Sequence, residues 1–192
     1  VSSFVGVDKF TPSGYPGTFT SVCTAFVTNA GATSVDYEVV IFDDTGAGGG
    51  PGAELGAVAT TGVVASDIGT PVFNSVDVSG LGLNIASGSV YIGVRFSPQT
   101  ETGVFIGSDE SGTNPPAGGF VSFDTGSGPA FTPTADSFPD YTSLMVRAVE
   151  GLTNCFNPQD ISWLSVSPTS GTVVTGGAAA SVTVTMNPTG LV

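Results

Sequence analysis

The stretch that decides the fold runs Ser34-Val-Asp-Tyr-Glu-Val-Val-Ile-Phe-Asp43. Its apolar and acidic residues alternate, so that one face carries Val35, Tyr37, Val39 and Ile41 and the other carries Asp36 and Glu38. A period of two residues is typical of an antiparallel β-strand that buries one face. The same alternation recurs in 89–97 and 142–149, whereas helical periodicity is hard to find anywhere. The sequence therefore predicts an all-β protein.

Turn residues divide the first 150 residues into nine predicted strands. They cover residues 4–10, 18–28, 34–43, 55–64, 72–78, 89–97, 103–108, 119–124 and 142–149. The turn at 29–33 predicts a hairpin between the second and third strands. Many short strands with no helix to cover a sheet favour a jelly-roll-like antiparallel β-sandwich over 1–150. The 13 phenylalanines supply bulk for its core.

The composition limits the chemistry. The 192 residues include no histidine and only three Lys or Arg against 16 Asp or Glu, a net charge of −13. Without histidine the Ser-His-Asp triad, the Cys-His dyad and zinc-hydroxide hydrolysis are lost, so we expect no enzyme. The acidity repels phosphate backbones and anionic lipids, which excludes nucleic acid as a partner. The sequence contains no apolar run of about 18 residues, so we predict no membrane insertion.

Cys23 and Cys155 are the only cysteines. An even count is compatible with one disulfide between an early strand and the segment after residue 150, and two buried thiols are the alternative. A disulfide across so long a loop would stabilise the fold by about 4 kcal/mol. The chain starts at Val1 without methionine, so we expect a mature part of a secreted or cell-surface protein.

A second unit is predicted at 160–192, after a linker at 151–159. It contains the strings Trp163-Leu-Ser-Val-Ser-Pro-Thr-Ser-Gly-Thr172 and Ser181-Val-Thr-Val-Thr-Met-Asn-Pro-Thr-Gly-Leu191. Over 155–192 this pattern resembles the opening half of BACON-type immunoglobulin-like repeats of exported bacterial proteins. The resemblance implies a partial immunoglobulin-like β unit. Such repeats continue with further strands, so either the repeat is trimmed or the first domain or another chain completes it.

A second resemblance covers residues 1–150. The strings Ile41-Phe-Asp-Asp-Thr-Gly46 and Val90-Tyr-Ile-Gly-Val-Arg95 look like those of the jelly-roll accessory modules beside such repeats in secreted bacterial proteases and surface proteins. It implies a module without catalysis of its own.

Acidic loops are the candidate metal sites. One loop offers Asp43, Asp44 and Glu54, and another offers Asp109 and Glu110. Oxygen-rich loops can hold Ca²⁺, and a site shared by two loops is favoured over a single-loop site. The first loop lacks EF-hand spacing, and a solvated hairpin connection is the favoured interpretation of that loop taken alone. Neighbouring carboxylates on a strand point to opposite faces, so neither acidic dipeptide is predicted to be a catalytic pair.

Aromatic loop residues are the candidate ligand-binding groups. Tyr15 and Tyr141 lie in predicted loops and could stack on sugar rings, whereas Trp163 opens an apolar strand and is assigned to a core or to an interdomain contact. Three functions remain: a non-enzymatic accessory, binding or spacer module, a filament subunit that donates strands, and a carbohydrate-binding module. The expected partners are other domains of the parent protein, identical subunits, or a glycan.

Overall fold

The computed structural model describes residues 3–66, 71–97, 103–109, 118–124, 128–141, 143–151, 155, 164–167 and 181–186. The chain forms two compact units, Val1–Cys155 and Phe156–Val192. The strands described in the first unit are β1 Ser3–Phe10, β2 Ser21–Thr28, β3 Ser34–Asp43, β4 Glu54–Ala65, β5 Phe73–Asp77, β6 Val90–Phe96, β7 Val104–Ile106, β8 Ser108–Asp109, β9 Phe120–Asp124, β10 Thr132–Pro133, β11 Ser143–Leu144 and β12 Val146–Val149. A short helix, α1, spans Thr134–Ser137, and 3-10 turns span Ala47–Gly49 and Ser79–Leu81. The predicted all-β class is confirmed.

Most strands belong to one large mixed sheet. Six of them run antiparallel in the order β10-β9-β1-β6-β3-β4. Strand β2 pairs with β5 and β12 through its first half and with β7 through its second half. At Phe26 and Val27 it also runs parallel to the end of β4. The strands β8 and β11 form a separate antiparallel pair.

The core lies on both faces of β3. Its predicted inward residues, Val35, Tyr37, Val39 and Ile41, are buried in the main cluster together with residues of β2, β5, β6 and β12. On the opposite face a smaller cluster contains Val5, Val7, Val40, Phe42 and Tyr91. The alternation in the sequence is therefore confirmed, and the middle of β3 is buried on both sides.

The predicted hairpin between β2 and β3 is wrong. Strand β3 pairs with β4 and β6, and β2 pairs with neither of its sequence-adjacent strands. Instead the two strands meet through their side chains, because the Phe26 and Tyr37 rings lie 4.7 Å apart and Thr24 hydrogen-bonds the Tyr37 hydroxyl. Residues 29–33 therefore cross from one side of the core to the other.

Smaller differences concern strand ends. The predicted strand 103–108 divides at Gly107 into β7 and β8, and 142–149 divides at Met145 into β11 and β12. The division occurs because the strands change partner, since β7 and β12 pair with β2 whereas β8 and β11 pair with each other. Strand β10 and helix α1 were not predicted, since elements of two and four residues carry no readable period. The jelly-roll connection of the strands stays a prediction.

The second unit contains two described strands, β13 Leu164–Ser167 and β14 Thr183–Met186. They pair antiparallel, with Leu164 opposite Met186 and Ser167 opposite Thr183. Trp163 lies outside the described residues. The immunoglobulin-like identity of this unit stays a prediction.

Candidate functional site

Asp43 holds the acidic loop together from within. Its Oδ1 accepts hydrogen bonds from the Thr45 amide at 3.1 Å, the Thr45 hydroxyl at 2.7 Å and the Ala53 amide at 3.0 Å. The Thr45 hydroxyl, with these amides, holds the pKa of Asp43 below its ordinary value. A Cβ built on Gly52 would lie 2.2 Å from this oxygen, so the loop closes around the carboxylate. The Asp43 carboxylate therefore stabilises the loop by hydrogen bonds within it.

The other two carboxylates of this loop also bind protein groups. Asp44 Oδ2 accepts from the Ser89 amide at 3.0 Å, which ties the loop to the start of β6. Glu54 binds the Arg95 guanidinium at 2.7 Å. The three predicted calcium ligands of this loop therefore bind different protein groups, namely Thr45, Ser89 and Arg95.

The second acidic loop is described only as far as Asp109. The backbone of Asp109 pairs with Ser143, and Glu110 lies outside the described residues. Within the described ranges no three His, Cys, Asp or Glu side chains come together as a metal site. Calcium binding stays a prediction.

An acidic groove crosses the outer face of β3, β4 and β6. It encloses about 530 Å³ and is lined by Ser3, Asp36, Glu38, Ala59, Thr61 and Arg95, among others. Arg95 bridges Glu38 at 2.6 Å and Glu54 at 2.7 Å, and the Thr61 hydroxyl donates to Asp36 at 2.6 Å. The carboxylates of Glu38 and Glu54 thus share one guanidinium, and Asp36 accepts from a neutral hydroxyl instead. The alternation of β3 predicted this polar face, but the pairing with β4 could not be read from it.

The candidate aromatic residues lie in different places. Tyr15 is 50% exposed, and its hydroxyl donates to the Gly88 carbonyl at 2.6 Å, just before β6 begins. Tyr141 is 36% exposed and packs against Phe138 at 5.8 Å between ring centroids. Phe138 in turn packs against Phe123, which is 48% exposed.

Phe138, Phe123 and Tyr141 form an aromatic strip that sequence reasoning missed. The strip continues inward through Phe4, 5.4 Å from Phe123, to Phe96 at the end of β6. Tyr15 contacts the region before the other end of this strand. The two tyrosines therefore do not share one site. The only signal in the sequence was Phe123 itself, an aromatic residue in the predicted strand 119–124.

Cys23 and Cys155 form a disulfide with a Cα–Cα distance of 5.5 Å. It links the buried centre of β2 to a residue 132 positions later in the chain. Cys155 also contacts the Asn74 carbonyl on β5, at 3.7 Å. The disulfide therefore fastens the end of the first unit to its sheet.

Asp8 is a buried carboxyl that sequence reasoning did not select. It is 8% exposed, and its Oδ2 accepts one hydrogen bond, from the Leu144 amide at 2.9 Å. Burial raises the pKa of Asp8 from 3.8 to about 6. In the described part of the chain its Oδ1 has no hydrogen-bond partner, and neither has the buried Thr134 Oγ1.

Gly119 brings these two oxygens together. A Cβ built on Gly119 would lie 2.6 Å from Thr134 Oγ1 and 2.8 Å from Asp8 Oδ1. The strand register explains this proximity. Val7 pairs with Phe120, and Phe120 pairs with Pro133. Asp8, Gly119 and Thr134 therefore form the next row across β1, β9 and the residue after β10. Lys9, the adjacent cation, faces the opposite side over the Tyr91 ring.

Comparison with protein-family models, curated proteins and solved structures gave no match for this chain. No described helix has the length and apolar character needed to span a membrane.

Proposed function

We propose that this chain is a non-enzymatic accessory module, for binding or spacing, of a larger secreted or surface protein of bacteria. The observation that carries the proposal is the disulfide between Cys23 and Cys155. Disulfides persist in oxidising compartments outside the cytosol and are rare within it. The described carboxylates of the acidic loop support the proposal, because they serve to hold the loop rather than to converge on a substrate.

The disulfide gives the first test. The chain is produced through an export route, denatured without reductant, treated with an alkylating reagent and weighed by mass spectrometry. We expect no alkylated cysteine, and two alkylated cysteines would contradict an exported, stapled module.

Removal of the two cysteines measures how much the disulfide contributes to the free energy of unfolding. In the chain-entropy account, a loop of this length constrains the unfolded chain by about 4 to 5 kcal/mol. We expect urea unfolding to show a loss of that order in a C23A/C155A double variant, and limited proteolysis to cleave the first unit faster. An unchanged unfolding midpoint would show that the disulfide has no part in the rigidity expected of a spacer.

A filament subunit is the second candidate. The described part of the second unit is a two-stranded sheet, and such a pair is at most marginally stable alone in water. Strands supplied by a neighbouring copy would complete it. Light scattering and negative-stain microscopy of the full chain test this function, which predicts regular multimers; a monomer at all concentrations would contradict it.

Carbohydrate binding is the third candidate, and the aromatic strip favours it. Exposed rings such as Phe123 and Tyr141 can stack on sugar rings. A glycan array with the full chain tests it, and the F123A/Y141A variant should lose any signal. Tyr15→Ala is the matched control, since Tyr15 lies away from the strip.

A further inference from the structure

The outer edge of β4 presents backbone groups in a known direction. The Val63 amide donates to Asn74 Oδ1 at 2.7 Å, and the Val63 carbonyl accepts from Asn74 Nδ2 at 3.0 Å. The next amide, of Val64, donates to the Thr33 carbonyl on the side of β3. Backbone groups of alternate residues point to the same side of a strand. The backbone N–H and C=O groups of every second residue before Val63 therefore point away from β3.

Ala57, Ala59 and Thr61 are these outward residues. Strand β4 pairs with β3 along one side, and on the other side with β2 only at Val64 and Ala65. In the described part of the chain the outward backbone groups of the three residues form no hydrogen bond. As far as the described residues show, the edge from Ala57 to Thr61 is open to an added strand.

The side chain of Asn74 shows which kind of group can bind at this edge. A side-chain amide carries the same donor and acceptor as a peptide bond, and the amide of Asn74 satisfies both groups of Val63. A further peptide bond beside Thr61, Ala59 and Ala57 would continue this pattern along the edge.

The open edge has no protective residues. Natural proteins shield edge strands with lysine, proline or bulges that prevent pairing. The sequence of β4, Glu-Leu-Gly-Ala-Val-Ala-Thr-Thr-Gly-Val-Val-Ala, contains no proline and no lysine, and its one bulge lies near Phe42, before Ala57. Ala59 and Thr61 are exposed. The residues of β4 itself therefore do not oppose pairing at this edge.

The charge beside the edge indicates the partner. Thr61 lies opposite Asp36 and Ala59 opposite Glu38 in the β3–β4 register, so these carboxylates of the acidic groove lie one strand away from the edge. The small side chains of Ala59 and Thr61 leave a cationic side chain free to lie across them toward these carboxylates. The single Arg95 leaves the groove net negative.

We propose that the edge from Ala57 to Thr61 binds an extended basic segment of another protein as an added strand, with alternate Lys or Arg side chains lying over the acidic groove. The proposal deepens the binding role proposed above and rests on it. A second copy of this chain fits less well, because the chain carries a net charge of −13.

The probe is a fluorescein-labelled, end-blocked nonapeptide of alternating lysine and valine, measured by fluorescence anisotropy with the full chain. We expect saturable binding that weakens as salt is raised, and no binding of the matching glutamate–valine peptide. The lysine–valine peptide with every second amide N-methylated should also fail to bind, because it cannot form the strand hydrogen bonds. This last control leaves the protein unaltered.

Variants of the edge locate the site. Ala59→Pro removes an outward N–H and no hydrogen bond to β3, so the sheet should be retained. We expect at least a tenfold loss of affinity for this variant and none for Ala59→Val. Asp36→Asn retains an acceptor for Thr61, and should weaken binding two- to fivefold at low salt.

Three results would overturn the proposal. They are no binding of the basic peptide by the natural chain, equal binding by Ala59→Pro, and equal binding of the N-methylated peptide. Self-association that Ala59→Pro abolishes, without peptide binding, would assign the edge to a second copy instead. Because the disulfide is tested independently by alkylation, failure at this edge is distinguishable from failure of the proposed exported module.

Discussion

The regions around Asp8 and Asp43 are built from the same three residue types and differ in their electrostatics. In each, an aspartate lies beside a threonine and a glycine that has no room for a Cβ. At Asp43 three donors bind one carboxylate oxygen near solvent. At Asp8 one donor binds the carboxyl in a buried place.

The difference shows that the number of donors and the burial decide what an aspartate does, not its sequence neighbours. Hydrogen bonds to the ionised form hold the pKa of Asp43 down, whereas desolvation raises the pKa of Asp8 to about 6. The two groups therefore act on stability with opposite dependence on pH.

Among the variants that test this comparison, Asp8→Asn should change the free energy of unfolding most. Since the folded pKa of Asp8 exceeds the unfolded one, the free energy of unfolding falls as the pH rises from about 4 to about 6. A pKa difference between 3.8 and about 6 corresponds to about 3 kcal/mol. We expect Asp8→Asn to stabilise the chain by about 2 to 3 kcal/mol at pH 7.5, as measured by urea unfolding.

The pH profile separates this cause from simple repacking. The asparagine can accept from Leu144 and donate to Thr134, so the descending limb between pH 4 and 6 should disappear in the variant. An equal gain in stability at pH 3.5 and at pH 7.5 would show that ionisation of Asp8 is not the cause.

The two glycines should respond unequally to alanine. Gly119→Ala forces a methyl group against Thr134 and Asp8 in a buried row, and we expect a loss of about 2 kcal/mol or more. Gly52→Ala meets Asp43 at the surface, where the carboxylate can turn away, and should cost about 1 kcal/mol through lost hydrogen bonds. Thermal unfolding of both variants, with Gly80→Ala as a control in open space, tests the order.

Asp43→Asn should have the smallest effect. The amide oxygen still accepts from Thr45 and Ala53, so the loss is expected to be below about 1 kcal/mol at pH 7. Because the folded pKa of Asp43 is lowered, its stabilising contribution is present above pH 3.8 and is lost as the pH falls below that value. Acid titration of unfolding should show a shallower loss in the variant, and an identical acid limb would contradict this role.

The strands were predictable because their alternation is local. The buried face of β3 follows from its own residues, and so does the polarity of Asp36 and Glu38. The pairing of β3 with β6 and β4 was not predictable, since a strand of this pattern fits several neighbours. The expected hairpin with β2 failed for this reason.

The candidate sites were less predictable than the strands. Carboxylates in the Asp43 loop satisfy the composition of a calcium site, but their partners are Arg95 on β6 and Ser89 just before it, more than 30 residues later in the chain. The disulfide was one of two alternatives that an even count allows, and the distance between two cysteines is set by the fold.

The sequence by itself determined the all-β class, the faces of the strands and the acidic surface, because these depend on residue type and on a period of two. The tertiary structure decided which strands are neighbours, how Cys23 meets Cys155, and why Asp8 is buried while Asp43 is not. It also decided which edge of β4 has no strand beside it among the residues described. Contacts between distant residues set these outcomes, and such contacts leave no local pattern in the chain.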